Sequence, residues 1–234
     1  MKHLNTYITE YIIKKKLDTP IDSEDHYECY PKTKQELIDN IKELFDKGET
    51  NLNCIDTSKI TDMSCLFESY ENINFDISKW NVSNVTNMYS MFNKCIKFDC
   101  DLSNWDVSNV ENMKDMFSWC INFTGKGLEN WDVSNVEISS FMFLKCENLN
   151  CDLSKWDVRN IKRMSSMFSY CEKFDGKSIE NWDISNVVSV RNMFKGCENL
   201  NCDLSKWNVR NIKDMTNMFY GCIALKNKPS WYKE

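Results

Sequence analysis

Tryptophan recurs through this chain at alternating intervals of 25 and 26 residues. Each of the six copies continues with Asp or Asn, Val or Ile, Ser or Arg, Asn, and Val or Ile. The six tryptophans are Trp80, Trp105, Trp131, Trp156, Trp182 and Trp207. A fixed period of this size is typical of architectures in which each copy buries its apolar face only against its neighbours. We therefore expect one elongated core, with function on a surface and not in a pocket.

Within one copy, the apolar residues predict two kinds of local structure. Met88, Met91, Phe92 and Cys95 stand at the i, i+3, i+4 and i+7 positions of a helical face. Trp80 and Val82 alternate around a polar residue, as in a short strand with one face inward. The sequence therefore predicts an α/β repeat solenoid in which each coil contributes a short strand and a helical turn.

A different pattern precedes the repeats. Thr33 and Glu36 form a capping box, and the apolar stripe that follows ends at Gly48, which predicts a helix that covers the first coil. A weaker stripe comprises Leu4, Tyr7, Ile8, Tyr11 and Ile12. We interpret this stripe as a further piece of the cap; the alternative is a helix for a membrane surface or for dimerisation. The predicted organisation is an N-terminal extension and capping helix (1–50), seven repeats with a degenerate first copy (51–226) and a C-terminal tail (227–234).

Charge and hydropathy exclude several function classes. The formal charge of −6 and the pI of about 5.2 argue against nucleic acid as a partner, because that binding needs net positive surfaces. No apolar run is long enough for a signal peptide or a transmembrane helix. We expect a cytoplasmic protein, or a cell-surface protein if another route exports it. An uncovered last coil would favour end-to-end self-association.

The twelve cysteines follow the repeat instead of pairing. Six of them occupy one site in successive copies, where a small buried apolar residue is the simplest interpretation: Cys95, Cys120, Cys146, Cys171, Cys197 and Cys222. A second set, Cys100, Cys151 and Cys202, lacks nearby histidines, so we expect neither a metal site nor any cofactor. Unpaired thiols in this number suit a reducing compartment.

Asparagine forms another column, which we expect to be structural because its side chain bonds backbone groups in bends. Its members are Asn84, Asn109, Asn135, Asn160, Asn186 and Asn211. The aspartates that follow the tryptophans suggest a calcium ladder at first sight. Asn81 and Asn208 occupy the same site, however, so turn hydrogen bonding explains the column better.

Residues that depart from the repeat are the best candidates for binding. Trp119 and Tyr170 stand at one site two copies apart, where Lys94 and Lys145 occupy other copies, and together they predict an exposed contact strip. A second, basic strip comprises Arg159, Lys162, Arg163, Arg210 and Lys213. Neither set supplies the histidine, paired carboxylates or glycine-rich loop that catalysis usually needs, so we expect no enzyme activity.

The repeated strings resemble a known family. Trp105 to Val110, the Met-x-x-Met-Phe-x-x-Cys element that ends at Cys95, and the segment from Ile55 to Met63 are similar to the BspA-like surface-protein repeat. That family is counted with the leucine-rich-repeat solenoids, so the resemblance implies a right-handed solenoid. It also implies adhesion or protein binding, as an adhesin if the chain is exported and as a scaffold if it is not. The alternative function is a carbohydrate-binding solenoid that uses Trp119 and Tyr170 as stacking platforms.

Overall fold

The computed structural model describes residues 27–233, so the apolar stripe predicted at residues 4–12 lies outside the described residues. The chain forms a stack of coils, where one coil is one repeat of 25 or 26 residues. Single parallel β-bridges join equivalent positions of successive coils. One column of bridges runs through Asp62, Asn87, Asn112, Ile138, Arg163, Ser189 and Asp214, and two more bridges join Cys29 to Ile55 and Asn51 to Asp76.

The prediction of a leucine-rich-repeat-like α/β solenoid, with a strand and a helical turn in each coil, is wrong. Every β-bridge among the described residues is isolated, and none extends into a strand. Helix α1, Lys34–Asp46, precedes the coils. Within the coils, the helical structure that is described amounts to two short 3-10 helices, Leu128–Asn130 and Lys177–Ile179. The coils consist mainly of turns.

The backbone donors explain why the Met-rich segment is not helical. The N–H groups of residues 88, 90, 92 and 94 donate to the carbonyls of residues 112, 114, 116 and 118 in the next coil, at 2.7–2.9 Å. The N–H groups between them close tight turns, as from Met91 N to Met88 O at 3.2 Å. An α-helix would direct all of these donors to its own i−4 carbonyls. Stacking and helix formation therefore compete for the same donors. Four backbone hydrogen bonds between coils join each of the six successive pairs of coils between residues 63 and 220.

Tight turns also replace the predicted strand at Trp80 and Val82. Trp80 N donates to Ile77 O at 3.0 Å, and Val85 N donates to Val82 O at 2.9 Å. Both side chains are nevertheless buried, as the alternation predicts. The sequence pattern therefore reports which side chains face inward and not the backbone conformation.

Aromatic columns fill the core. The ring centroids of one phenylalanine column lie 5.3–5.9 Å apart along the stack, at Phe67, Phe92, Phe117, Phe143, Phe168, Phe194 and Phe219. The tryptophans add a hydrogen bond to their packing: from Trp105 to Trp207, each indole Nε1 donates to a carbonyl 28 or 29 residues earlier, at 2.8–3.2 Å. The same carbonyl also accepts a hydrogen bond from the backbone N–H of the preceding tryptophan, which lies in the carbonyl's own coil. Each tryptophan thus ties its coil to the preceding one.

The 26-residue coils keep the tryptophan column in register by a local change of backbone. Gly127 (φ 93°) and Gly176 (φ 77°) adopt the left-handed conformation immediately before the two 3-10 helices. These helices accommodate the extra residue. Trp131 and Trp182 still donate to the carbonyl that is equivalent to the acceptor of the tryptophans in the 25-residue coils. The alternation of 25 and 26 is therefore confined to one corner of the coil.

Helix α1 packs against the first coil. The Thr33 hydroxyl accepts a hydrogen bond from Glu36 N at 3.2 Å, which places the helix start where the capping box predicts it. The helix buries Leu37, Ile41, Leu44 and Phe45. The ring centroid of Phe45 lies 5.5 Å from that of Tyr70, in the degenerate first repeat.

Part of the C-terminal tail continues the stack. Trp231 Nε1 donates to Leu204 O at 2.9 Å, which is the bond that the other tryptophans make. Tyr232 packs edge-on against Phe219, with centroids 5.0 Å apart. Tyr220 and Ile223 stay 67% and 78% exposed, so the tail covers the last coil only in part.

Candidate functional site

One corner of every coil places a residue in the left-handed backbone region directly before the cysteine column. We call these residues the corner column: Ser69, Lys94, Trp119, Lys145, Tyr170, Gly196 and Gly221, with φ between 59° and 79°. Left-handed backbone costs a non-glycine residue about 1–2 kcal/mol. The backbone imposes this conformation in every coil, whichever side chain the corner carries. The corner therefore tolerates very different side chains and packs none of them as a core residue.

Aromatic rings and lysines alternate along this corner. Lys145 Nζ lies 5.1 Å from the ring centroids of both Trp119 and Tyr170. Lys195 Nζ lies 5.7 Å from the Tyr170 centroid and 5.6 Å from that of Tyr220. Each contact is within cation–π range. We call these five residues, one from each of five successive coils, the aromatic–lysine column.

Two members of the aromatic–lysine column were not among the residues predicted from the sequence. Glycine occupies the corner at 196 and 221, and Lys195 and Tyr220 precede it by one residue. Gly196 makes room for this shift, because a Cβ there would lie 2.5 Å from Cδ1 of Tyr170. The signal was present in the sequence as an alternation of aromatic and lysine, displaced by one position. Lys94, which the sequence grouped with this strip, is exposed and makes no cation–π contact in the part of the chain that is described.

The column combines exposed apolar surface with positive charge. Trp119 is 41% exposed, and Tyr170 and Lys145 are half-buried. The Glu147 carboxylate lies 4.0 Å from Lys145 Nζ, at the limit of an ion pair. Lys195 has no ion pair among residues 27–233.

The predicted basic strip is partly neutralised. Arg159 pairs with Asp157 at 2.6 Å, and this pair lowers the pKa of the aspartate. Lys162 pairs with Glu137 of the preceding coil at 2.8 Å. The other three members, Arg163, Arg210 and Lys213, are exposed and have no ion pair within the described chain.

The asparagine column holds the coils together. Each amide Nδ2, from Asn84 to Asn211, donates to a backbone carbonyl 26 or 27 residues earlier, at 2.6–2.9 Å. The aspartates after the tryptophans accept the N–H two residues later, at 3.0–3.2 Å, as turn residues do: Asp106, Asp132, Asp157 and Asp183. Both columns therefore hydrogen-bond within the fold, the asparagines through Nδ2 and the aspartates through Oδ1.

The cysteine column is also hydrogen-bonded and not merely apolar. Each thiol from Cys95 to Cys222 donates to a phenylalanine carbonyl of the preceding coil, at 2.8–3.0 Å. Burial raises the pKa of the Cys100 thiol to about 11, and those of Cys151 and Cys202 to about 12. Thiols in this state are poor nucleophiles and poor metal ligands. No group of three or more potential metal ligands is found among the described residues.

The repeat is matched by a family model described as "Mycoplasma protein of unknown function, DUF285". The match covers residues 38–150 and again residues 120–232, which together make up most of the chain. The chain belongs to the DUF285 family. The DUF285 match identifies a mycoplasma-type repeat family and assigns no activity. No curated protein and no solved structure matches the chain. Across residues 27–233, no helix has the length and apolar character needed to cross a membrane.

Proposed function

We propose that this DUF285 chain is a non-catalytic protein-interaction module and that the aromatic–lysine column is its contact surface. The observation that carries the proposal is the alternation of partly or fully exposed rings with ammonium groups along five coils. Tryptophan and tyrosine are the residues that most often supply binding energy at protein interfaces. Lysines held between rings also lose less side-chain freedom on binding than free lysines do.

Stacking of the coils does not require aromatic residues at this corner. The same left-handed corner carries Ser69 and Lys94 in earlier coils and glycine in later ones. Trp119 therefore combines backbone strain with an exposed apolar surface at a place where serine would suffice. A role in binding accounts for a residue that folding does not need.

The non-catalytic part of the proposal rests on how the polar side chains are used. Aspartate carboxylates accept turn N–H groups, asparagine amides bond neighbouring coils, and the thiols of the cysteine column donate to phenylalanine carbonyls. Adhesion belongs to the same proposal if the protein reaches the cell surface, in keeping with the BspA-like resemblance of the repeat motif. A scaffold role replaces adhesion if it stays inside.

Site-specific photo-crosslinking tests the proposal. A photoreactive phenylalanine analogue replaces Lys94, one coil from Trp119, and in a control protein it replaces Val188, an exposed residue of another column. We expect a crosslinked protein from source-cell extract at position 94, identified by mass spectrometry, and its loss in the double variant Trp119→Ser/Tyr170→Ser. Serine is chosen because Ser69 holds the same corner. Equal crosslinking at both positions, or no loss in the double variant, would contradict the proposal.

A further inference from the structure

We infer that the aromatic–lysine column recognises an acidic peptide segment in the polyproline II conformation, with carboxylates at every third residue. This inference rests on the proposed function and specifies the partner's chemistry. Its basis is the polarity, the ring accessibility and the spacing of the column.

The column presents positive charge and hydrogen-bond donors. The ammonium groups of Lys145 and Lys195 and the indole N–H of Trp119 can only donate. The edges of the three rings carry partial positive charge. Neither the Trp119 indole N–H nor the hydroxyls of Tyr170 and Tyr220 have a hydrogen-bond partner within residues 27–233. A ligand that fits this surface supplies carboxylates and carbonyl acceptors.

Both faces of the central ring are already occupied. Tyr170 lies between two ammonium groups, with Lys145 Nζ 5.1 Å and Lys195 Nζ 5.7 Å from its centroid. Lys145 also lies over Trp119. Sugar binding by stacking needs a free ring face, so these contacts disfavour Tyr170 as one of the two platforms of the carbohydrate alternative. The exposed edges of the rings are left for apolar contact with a peptide.

The spacing selects the peptide conformation. Lys145 and Lys195 lie two coils apart, and bridged neighbours in a parallel ladder are separated by about 4.8 Å, which makes the backbone separation of these coils about 9.6 Å. The Tyr170 ring between them sets a similar separation for the two ammonium groups, which lie 5.1 Å and 5.7 Å from its centroid. A polyproline II helix returns to the same face every three residues, after about 9.3 Å. In a β-strand, residues on one face recur at about 6.6 Å or 13 Å, and neither value fits. Proline-rich segments in this conformation also dock against aromatic side chains.

Fluorescence anisotropy with synthetic peptides tests the inference on the full chain. The probe is a labelled peptide with four Glu-Pro-Pro units. One control peptide has glutamine in place of glutamate, and a second has the same composition with all four glutamates at one end. We expect the probe to bind at least about fivefold more tightly than either control, and added salt to weaken it.

The lysine variants assign the binding to the column. Lys145→Met and Lys195→Met keep a long side chain that can still contact the rings, and we expect each to weaken probe binding about fivefold. Lys206→Met, an exposed lysine outside both predicted strips, removes the same charge and should leave binding unchanged. Equal binding of the clustered peptide, or equal loss in the Lys206→Met control, would overturn the inference. Tighter, lysine-dependent binding of an oligogalacturonate would overturn it too, in favour of an acidic glycan.

The two proposals fail in different ways. If the probe does not bind and the crosslink at position 94 still depends on Trp119 and Tyr170, the peptide inference is wrong and the interaction surface stands. If the crosslink is also insensitive to those residues, both proposals are wrong.

Discussion

Gly127 offers the sharpest test of how closely the coils approach. It has a φ of 93° at the start of the first 3-10 helix. A Cβ at this position would lie 2.2 Å from the backbone N of Ser103 and 2.6 Å from the carbonyl C of Leu102. Both atoms are main chain of the preceding coil, and Leu102 N donates to Lys126 O at 3.2 Å next to the contact. The coils would have to separate to admit a methyl group.

The cost of Gly127→Ala follows from three terms. Left-handed backbone costs alanine about 1–2 kcal/mol. Overpacking a close contact adds about 1–3 kcal/mol. Alanine also reduces the conformational entropy of the unfolded chain, which offsets about 0.4–1 kcal/mol of this loss. We therefore expect the free energy of unfolding to fall by about 3 kcal/mol, a large part of the 5–15 kcal/mol that is typical of a domain.

Gly221→Ala is the matched control. Gly221 has a similar φ of 79°, but a Cβ there would come no closer than 3.4 Å to Gly196 Cα, which is ordinary contact. The corresponding corners of earlier coils carry lysine, tryptophan and tyrosine. We expect a loss of about 1 kcal/mol or less, because only the backbone term remains.

Urea unfolding monitored by tryptophan fluorescence measures both variants. Circular dichroism on the same samples checks that the transition is two-state, because arrays of repeats can lose cooperativity. A loss for Gly127→Ala no larger than that for Gly221→Ala would refute the argument. It would mean that the coils can separate at this contact without a large cost, and that the left-handed backbone conformation alone explains the glycine at position 127.

Two further predictions concern bonds between coils. Trp156→Phe removes the indole donor to Leu128 O, and we expect a loss of about 2 kcal/mol in urea unfolding, since the carbonyl keeps one backbone partner but the smaller ring leaves a void. Asp101 pairs with Lys126 of the next coil at 2.8 Å, and this contact helps to lower the pKa of the aspartate to about 2. The pair's stabilisation should be complete above about pH 4, the unfolded pKa, and be lost as the pH falls through 2. The difference in urea midpoint between the wild type and Asp101→Asn should therefore shrink from pH 5 to pH 2.5, and a constant difference would contradict this.

The registration of the coils could be predicted from the sequence because a residue that recurs at a fixed period meets its own copy in the next coil. This is why the asparagine and tryptophan columns appear as continuous ladders. The backbone conformation could not be predicted in the same way. The i, i+3, i+4, i+7 pattern at Met88 fits a helix, but it also fits successive turns whose alternate N–H groups bond the next coil.

Only part of the candidate site could be predicted from the sequence. Trp119 and Tyr170 depart from the repeat and were therefore visible, together with Lys145, which occupies the same site in another copy. Lys195 and Tyr220 were missed because their contacts cross from one coil to the next after a one-residue shift. The sequence places Lys162 in the basic strip but does not show that Glu137 of the preceding coil pairs with it.

The sequence by itself determined the period, the buried columns and the helix that covers the first coil, because these depend on side-chain hydrophobicity and on local capping. Only the tertiary structure decided that the coils are built from turns. A backbone N–H can donate to a carbonyl of its own coil or of the next coil, and the stacking of the coils determines which carbonyl is within reach. The tertiary structure also decided which lysines stand between rings and which are paired with acids. Those contacts join residues about 25 positions apart, and their geometry exists only once the coils are stacked.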